Sequence, residues 1–251
     1  MPDLDDFGAR PLPVWSPLTD FEFEVVEAAL SKHNNHEALL LLSFVMGGHV
    51  RTREQAAPAL AAYRSFVKRL RPEVVKTRDP KVRATLLLRR LHLDLLGTIE
   101  EESSARSYVK GQVRPELLLV EGRFNCLSSA IVYAVLALRF GLRPTMVTVP
   151  EHVFVQLTAP SGTTFEVETT NIRGVAPSRG ASSFTVEPGA SRTSASMTRE
   201  DYDSRSFGSV RHTIIGLGNQ DAVVRSVSKE QRQRLVELAA VLAPTPELEA
   251  A

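Results

Sequence analysis

The chain has 251 residues, 43% of them hydrophobic and 24% charged, the composition of an ordinary soluble globular protein. Its formal net charge of +1 provides no basic footprint for nucleic acid, and its single cysteine excludes an intramolecular disulfide and argues against a Cys-based zinc site. The longest apolar run, Ala38 to Gly48, is too short to cross a bilayer, and the N-terminus lacks a signal-peptide core. The expectation is a cytoplasmic protein that binds neither membrane nor nucleic acid.

Residues 1–17 read as an extended, Pro-rich arm, with Trp15 as a docking anchor. Thr19 or Asp20 caps a helix through about Ser31, because Phe21, Val25, Ala28 and Ala29 share one face. A second helix fits His36 to Met46 and ends at Gly47-Gly48. A third, rich in alanine, fits Thr52 to Leu70, with Pro72 as its stop. A fourth runs from Pro80 to Leu96, with Gly97 as a C-cap signal. Residues 98–121 are mixed, a polar stretch followed by Leu117 to Val120.

At Asn125 the pattern changes. Asn125 is a good N-cap, Cys126 to Arg139 is strongly apolar, and Gly141 offers a left-handed stop. Thr145 to Ala159, rich in Val, Thr and Phe, reads as a strand. Pro160-Ser161-Gly162 is a turn, and Thr163 to Thr169 is a second strand. Residues 171–197 carry no periodicity and form a lid or a disordered loop. Thr198 to Tyr202 gives a short helical signal, and Phe207 to Gly216 is ambiguous. Ser228 with Gln231 resembles a capping box for a helix to about Leu242.

A lone cysteine is ordinarily a small core residue. Cys126 is different because it opens a helix, where unpaired N–H groups and partial positive charge favour a thiolate and help hold a developing oxyanion. The helix spans roughly 20 Å at ~1.5 Å per residue. A strand from Pro144 to His152, packed antiparallel to it, covers roughly 26 Å at ~3.3 Å per residue. Sulfur and imidazole therefore reach the same end of the unit.

A third group must orient the imidazole. If Pro160-Ser161-Gly162 is a three-residue hairpin loop with Gly162 left-handed, Ala159 pairs with Thr163 and His152 lies opposite Thr170. Glu168 is then diagonal to His152, at about 7–8 Å, which long side chains bridge. Glu166 has the same parity but lies further from the level of His152. A slip of one residue would turn Glu168 to the other face.

Other residues carry weaker signals. Asn125 is a cap and a weak candidate oxyanion donor. His33 and His36 lack a carboxylate partner at helical spacing, so no metal site is assigned. His92 with Asp94 reads as structural, packing the fourth helix, and Tyr133 reads as core. Arg123 and Glu151 flank the candidate site.

These residues together resemble a known pattern. Gly122-Arg123-Phe124-Asn125-Cys126-Leu127-Ser128-Ser129 precedes Pro150-Glu151-His152-Val153-Phe154-Val155 and Glu166-Val167-Glu168-Thr169-Thr170-Asn171. The order is similar to the bacterial transglutaminase-like superfamily within the papain-like fold, which carries Cys at a helix start, His on the next strand and Asp or Glu on the strand after. Helical sequence before Asn-Cys-x-Ser, including Arg89-Arg90-Leu91-His92, is most similar to the SirB1-like branch. The likeness covers roughly residues 80–171. Glu168 stands where Asp is commoner, and Val153 where an aromatic often follows the His.

The resemblance implies an α+β fold. Its transglutaminase-like core, with the Cys helix packed on a small antiparallel sheet, has a helical N-terminal region and a C-terminal helix. The expected organisation is an arm (1–17), a helical region (18–110), a catalytic core (111–243) that includes the 171–197 loop, and a tail (244–251). It also implies Cys126, His152 and Glu168 as a triad that acts on an amide of a peptide or protein substrate through a thioester, without a cofactor. Hydrolysis is favoured over cross-linking because water needs no second dedicated site. The alternatives are a non-catalytic interaction module of the same fold and a helical scaffold in which Cys126 is core.

Overall fold

The apolar stretch after Asn125 forms a helix, Cys126–Arg139, in which every residue from Leu127 to Ala137 is buried. A helix that is apolar all round needs partners all round. The computed structural model describes residues 18–31, 35–97, 108–177, 204–218 and 220–242. In it the helix packs against both β-strands and other helices, within an α+β fold.

Among the described residues four helices come first: α1 (Asp20–Leu30), α2 (His36–Met46), α3 (Arg53–Lys76) and α4 (Pro80–Asp94). Their starts follow from local chemistry. Thr19 with Glu22 and Thr52 with Gln55 form capping boxes, Asn35 accepts from the Ala38 amide, and Asp79 accepts from the Lys81 and Val82 amides. The expected stop at Pro72 does not occur, because α3 runs through both Pro58 and Pro72 to Lys76. Both prolines are exposed, so water can satisfy the carbonyls that lose a donor, while burial of Phe66, Leu70 and Val74 carries the helix onward. The mixed stretch before the cysteine contains a short helix, α5 (Pro115–Glu121), and the Cys126–Arg139 helix is α6.

The single strand expected over 145–159 is instead a hairpin of β1 (Arg143–Val149) and β2 (His152–Thr158), with Val149 paired to His152. The turn was hidden because it holds no glycine. Pro150 leads it and Glu151 takes the left-handed position at φ 58°. The next turn is as expected. The Ala159 amide donates to the Thr163 carbonyl at 2.8 Å, and Gly162 sits at φ 82°. The register of β3 (Thr164–Val167) against β2, Val155 to Val167 and Thr158 to Thr164, extrapolates to His152 opposite Thr170. The second strand is shorter than the 163–169 expected.

Part of the 171–197 loop is ordered by pairing, since β4 (Val175–Pro177) adds to the edge of β3. Residues 178–203, with the helical signal at 198–202, lie outside the described residues, as do the arm, Trp15 and His33. The ambiguous 207–216 segment divides into β5 (Ser206–Gly208) and α7 (Val210–Leu217). The antiparallel sheet therefore runs β4-β3-β2-β1-β5. Two helices follow, α8 (Asp221–Ser226) and α9 (Lys229–Leu242), the latter opened by the expected Ser228/Gln231 capping box.

One hydrophobic cluster runs from Phe21 of α1 through α6 and the sheet to Leu242 of α9. Two polar clasps cross it. Tyr133, fully buried, donates to the Ala84 carbonyl at 3.0 Å and ties α6 to α4. Buried Glu22 of α1 pairs with buried Arg234 of α9.

Candidate active site

Asn125 builds the start of α6. Its Oδ1 accepts from the Ser128 amide at 2.9 Å, and the Ser128 hydroxyl accepts from the Asn125 amide at 3.0 Å. Its Nδ2 donates to the Lys110 carbonyl at 3.1 Å, and the Ser128 hydroxyl lies 3.1 Å from the Gln112 carbonyl. The first turn is thus clamped to the 108–113 segment, with half-buried Cys126 as its first residue.

His152 opens β2 directly after the Pro150-Glu151 turn and is buried. Its Nε2 lies 2.5 Å from Oε2 of Glu168. The other carboxylate oxygen of Glu168 accepts from the Thr170 amide at 3.1 Å and the Thr170 hydroxyl at 2.7 Å. Both oxygens are therefore fixed. The loop beneath them closes tightly, with the Glu168 amide donating to the Gly174 carbonyl at 2.8 Å. Glu166, the competing carboxylate, lies 4.0 Å from Arg205 instead.

Burial works against charge on both partners and is outweighed on both. For Glu168 burial favours the neutral acid, but the His152 charge and the hydrogen bonds from His152 and Thr170 hold its carboxyl below the usual range. For His152 burial favours the neutral ring, but the Glu168 charge, the Cys126 side chain and the Glu168 hydrogen bond raise its proton affinity well above the ordinary value. With Nε2 on the carboxylate, Nδ1 is buried and has no hydrogen-bond partner among the described residues. The Cys126 side chain nonetheless adds to the ring's raised proton affinity. Such contacts are commonly loose before substrate binds. An imidazole held this way beside a thiol can take its proton and return it to a leaving group.

Two further residues join the site. Tyr108 bridges to Phe124, two residues before the cysteine, and its ring meets the Phe124 ring edge-on at 5.7 Å. Its phenol is pushed up to about 12 by burial and then by the negative charges of Cys126 and Glu168, and it interacts with both the side chain and the backbone of Cys126. It remains an O–H donor. A tyrosine in an aperiodic segment eighteen residues before the cysteine carries no local signal that would identify it.

His92, read from sequence as a packing residue of α4, is fully buried, and its Nε2 meets the Thr169 carbonyl at 3.0 Å. Burial lowers it to about 4, against the Thr169 hydrogen bond and the Glu168 charge. It is neutral at pH 7, with its proton on Nε2 to serve the carbonyl.

The remaining candidates fall elsewhere. Arg123 pairs with Glu121 at 3.3 Å, and Glu151 lies 4.0 Å from Lys110, both pairs at the surface. His36 is the first residue of α2. Among the described residues no group of three or more His, Cys, Asp or Glu side chains is arranged to hold a metal ion, and no helix is long and apolar enough to cross a membrane.

No protein-family model matches the chain, and neither the curated proteins nor the solved structures compared with it give a significant match.

Proposed function

We propose that this protein is a thiol acyl-transfer enzyme of the transglutaminase-like type, built on a papain-like core, that hydrolyses an amide of a peptide or protein substrate in the cytoplasm. The observation that carries the reading is the division of labour on one ring. Glu168 occupies Nε2 of His152 and leaves Nδ1 for Cys126 at the capped start of α6.

In this reading Cys126 has already given its proton to Nδ1 of His152, and the thiolate Sγ of the resulting ion pair attacks the carbonyl carbon. The oxyanion is met by backbone N–H groups at the start of α6 and by the Tyr108 hydroxyl. Asn125 is less suited to that task, since its Oδ1 serves the helix cap and its Nδ2 the Lys110 carbonyl. His152 then protonates the leaving nitrogen, the C–N bond breaks, and a thioester remains. Water attacks the thioester carbonyl, returns a proton through His152, and frees the thiol and a carboxylic acid. Glu168 holds the ring in place and stabilises its charged form.

The test uses p-nitrophenyl acetate as a generic acyl donor and iodoacetamide as a thiol probe. The expected result is a burst of p-nitrophenolate of about one equivalent per chain. Cys126→Ala should abolish it, and His152→Ala should slow alkylation of Cys126. A burst that survives in Cys126→Ala, or alkylation indifferent to His152, would sink the enzyme reading and leave a non-catalytic interaction module.

A further inference from the structure

A second concave site lies at the opposite end of α6 from Cys126, roughly 20 Å away along the helix at ~1.5 Å per residue. Two clefts of about 340 and 230 Å³ adjoin there and share Val67, Arg71 and Arg139. The chain as a whole balances 30 Lys and Arg against 29 Asp and Glu, but among the described residues Glu37 alone supplies a carboxylate to this lining.

That carboxylate is already used. Arg64 forks onto Glu37 at 2.6 to 3.2 Å and cancels it. Arg83 is spent on the Thr77 and Phe140 carbonyls and braces the wall. Lys68, Arg71 and Arg139 remain, with no hydrogen-bond or ion-pair partner among the described residues. Val67, Val75 and Phe140 supply an apolar wall beside them, and Val75 is 68% exposed. Tyr63 also lines the cleft, and its hydroxyl is buried and has no hydrogen-bond partner among the described residues.

An ordinary solvated basic face has neither feature, for it is convex and leaves no buried donor unmatched. Two arginines on one lining suit an anion with two or more oxygens, and the apolar wall suits a small organic body attached to it. We propose that this groove binds a small molecule in which a phosphate or carboxylate, held by Arg71 and Arg139, is joined to an apolar part that rests on Val67, Val75 and Phe140. The site does not depend on the thiol chemistry proposed for the other end of the helix.

Phenyl phosphate, benzoate, inorganic phosphate and benzyl alcohol are the probes, titrated into the full chain by calorimetry and by amide NMR shifts. Saturable binding of phenyl phosphate or benzoate is expected, tighter than that of inorganic phosphate or benzyl alcohol, with shifts at residues 63–75 and 139–140. Which of the two binds tighter identifies the anionic group. Arg71→Ala with Arg139→Ala should weaken binding about tenfold or more, as the loss of charge-assisted contacts predicts. Tyr63→Phe should weaken it less, while Arg69→Ala and Cys126→Ala should leave it unchanged. The proposal is overturned if no organic anion saturates below about 1 mM, or if the double variant binds as the wild type does.

Discussion

The hydroxyls of Ser129 and Thr169 meet at 2.8 Å, and this contact joins the Cys126 helix to the loop that carries Glu168. Ser129 also lies 2.8 Å from the Asn125 carbonyl and gives its single hydrogen there, so Thr169 is the donor between the two hydroxyls. The Thr169 carbonyl is held in turn by His92 of α4. Thr169 is thus pinned from two elements, and Cys126 and the His152–Glu168 pair, which arise on separate elements, are kept in register.

The pair itself sets a pH dependence. The Glu168 carboxyl is held below its ordinary 4.5, so its contribution to stability is complete above that pH and is lost as pH falls through the lowered value. His152 is held above its ordinary 6.5, so its contribution is complete below that pH and is lost as pH rises through the raised value. The stability difference between wild type and Glu168→Gln, from urea unfolding, should be greatest at about pH 5.5 and shrink on both sides. The same variant should slow the p-nitrophenolate burst by about 10²- to 10⁴-fold, because an amide does not favour the charged ring. A flat difference across pH would show that the pair is not ionic.

His92 should behave in the opposite sense to His152. Its proton affinity is lowered in the fold, so its contribution is present above the ordinary 6.5 and is lost as pH falls toward about 4. His92→Phe leaves the buried Thr169 carbonyl without its donor, at a cost of about 1–3 kcal/mol. His92→Gln keeps an N–H and should recover part of it. If Thr169 transmits the effect, His92→Phe also slows alkylation of Cys126 and His92→Gln restores it. A variant that loses stability but alkylates at the wild-type rate would make His92 a packing residue alone.

Much of the backbone was legible because its signals are local. Thr19, Asn35, Thr52, Asp79, Asn125 and Ser228 each bond within three residues, so their helix starts follow from short windows of sequence. The 159–163 turn was legible for the same reason, and with it the register that points to Glu168. Pro72 misled because a proline penalty is local while the burial that overrides it is not. The Pro150-Glu151 turn was hidden by a left-handed residue that is not glycine. Tyr108 and His92 reach the site across chain separations at which periodicity carries no information.

Tyr108→Phe separates a chemical role from a packing one. The ring keeps its edge contact with Phe124 and only the hydroxyl is lost. Unfolding should move by no more than about 1 kcal/mol, the usual worth of one hydrogen bond. Alkylation of Cys126 builds no oxyanion and should change little. Acylation by p-nitrophenyl acetate should fall by about 10²-fold, as when one donor is removed from an oxyanion site. Equal losses in the two assays would assign the hydroxyl to the thiol rather than to the reacting carbonyl.

Gly174 tests whether the Glu168 loop must close as tightly as it does. A Cβ at this position would lie 2.0 Å from the Glu168 carbonyl oxygen and 2.9 Å from that of Asn171, both backbone atoms that cannot swing aside. Gly174→Ala must therefore open the 168–174 loop, which breaks the hydrogen bond between the Glu168 amide and the Gly174 carbonyl and moves the carboxylate away from His152. A loss of about 1–3 kcal/mol is expected, as for other overpacked positions, together with loss of the burst. Gly216→Ala is the matched control, because a Cβ there meets nothing within 4 Å and the residue lies inside α7. That change should leave the burst intact and hold or raise the melting temperature, since alanine is the better helix former. If the two variants behave alike in calorimetry and in the burst, the loop has slack, and the close seat of Glu168 against His152 does not depend on it.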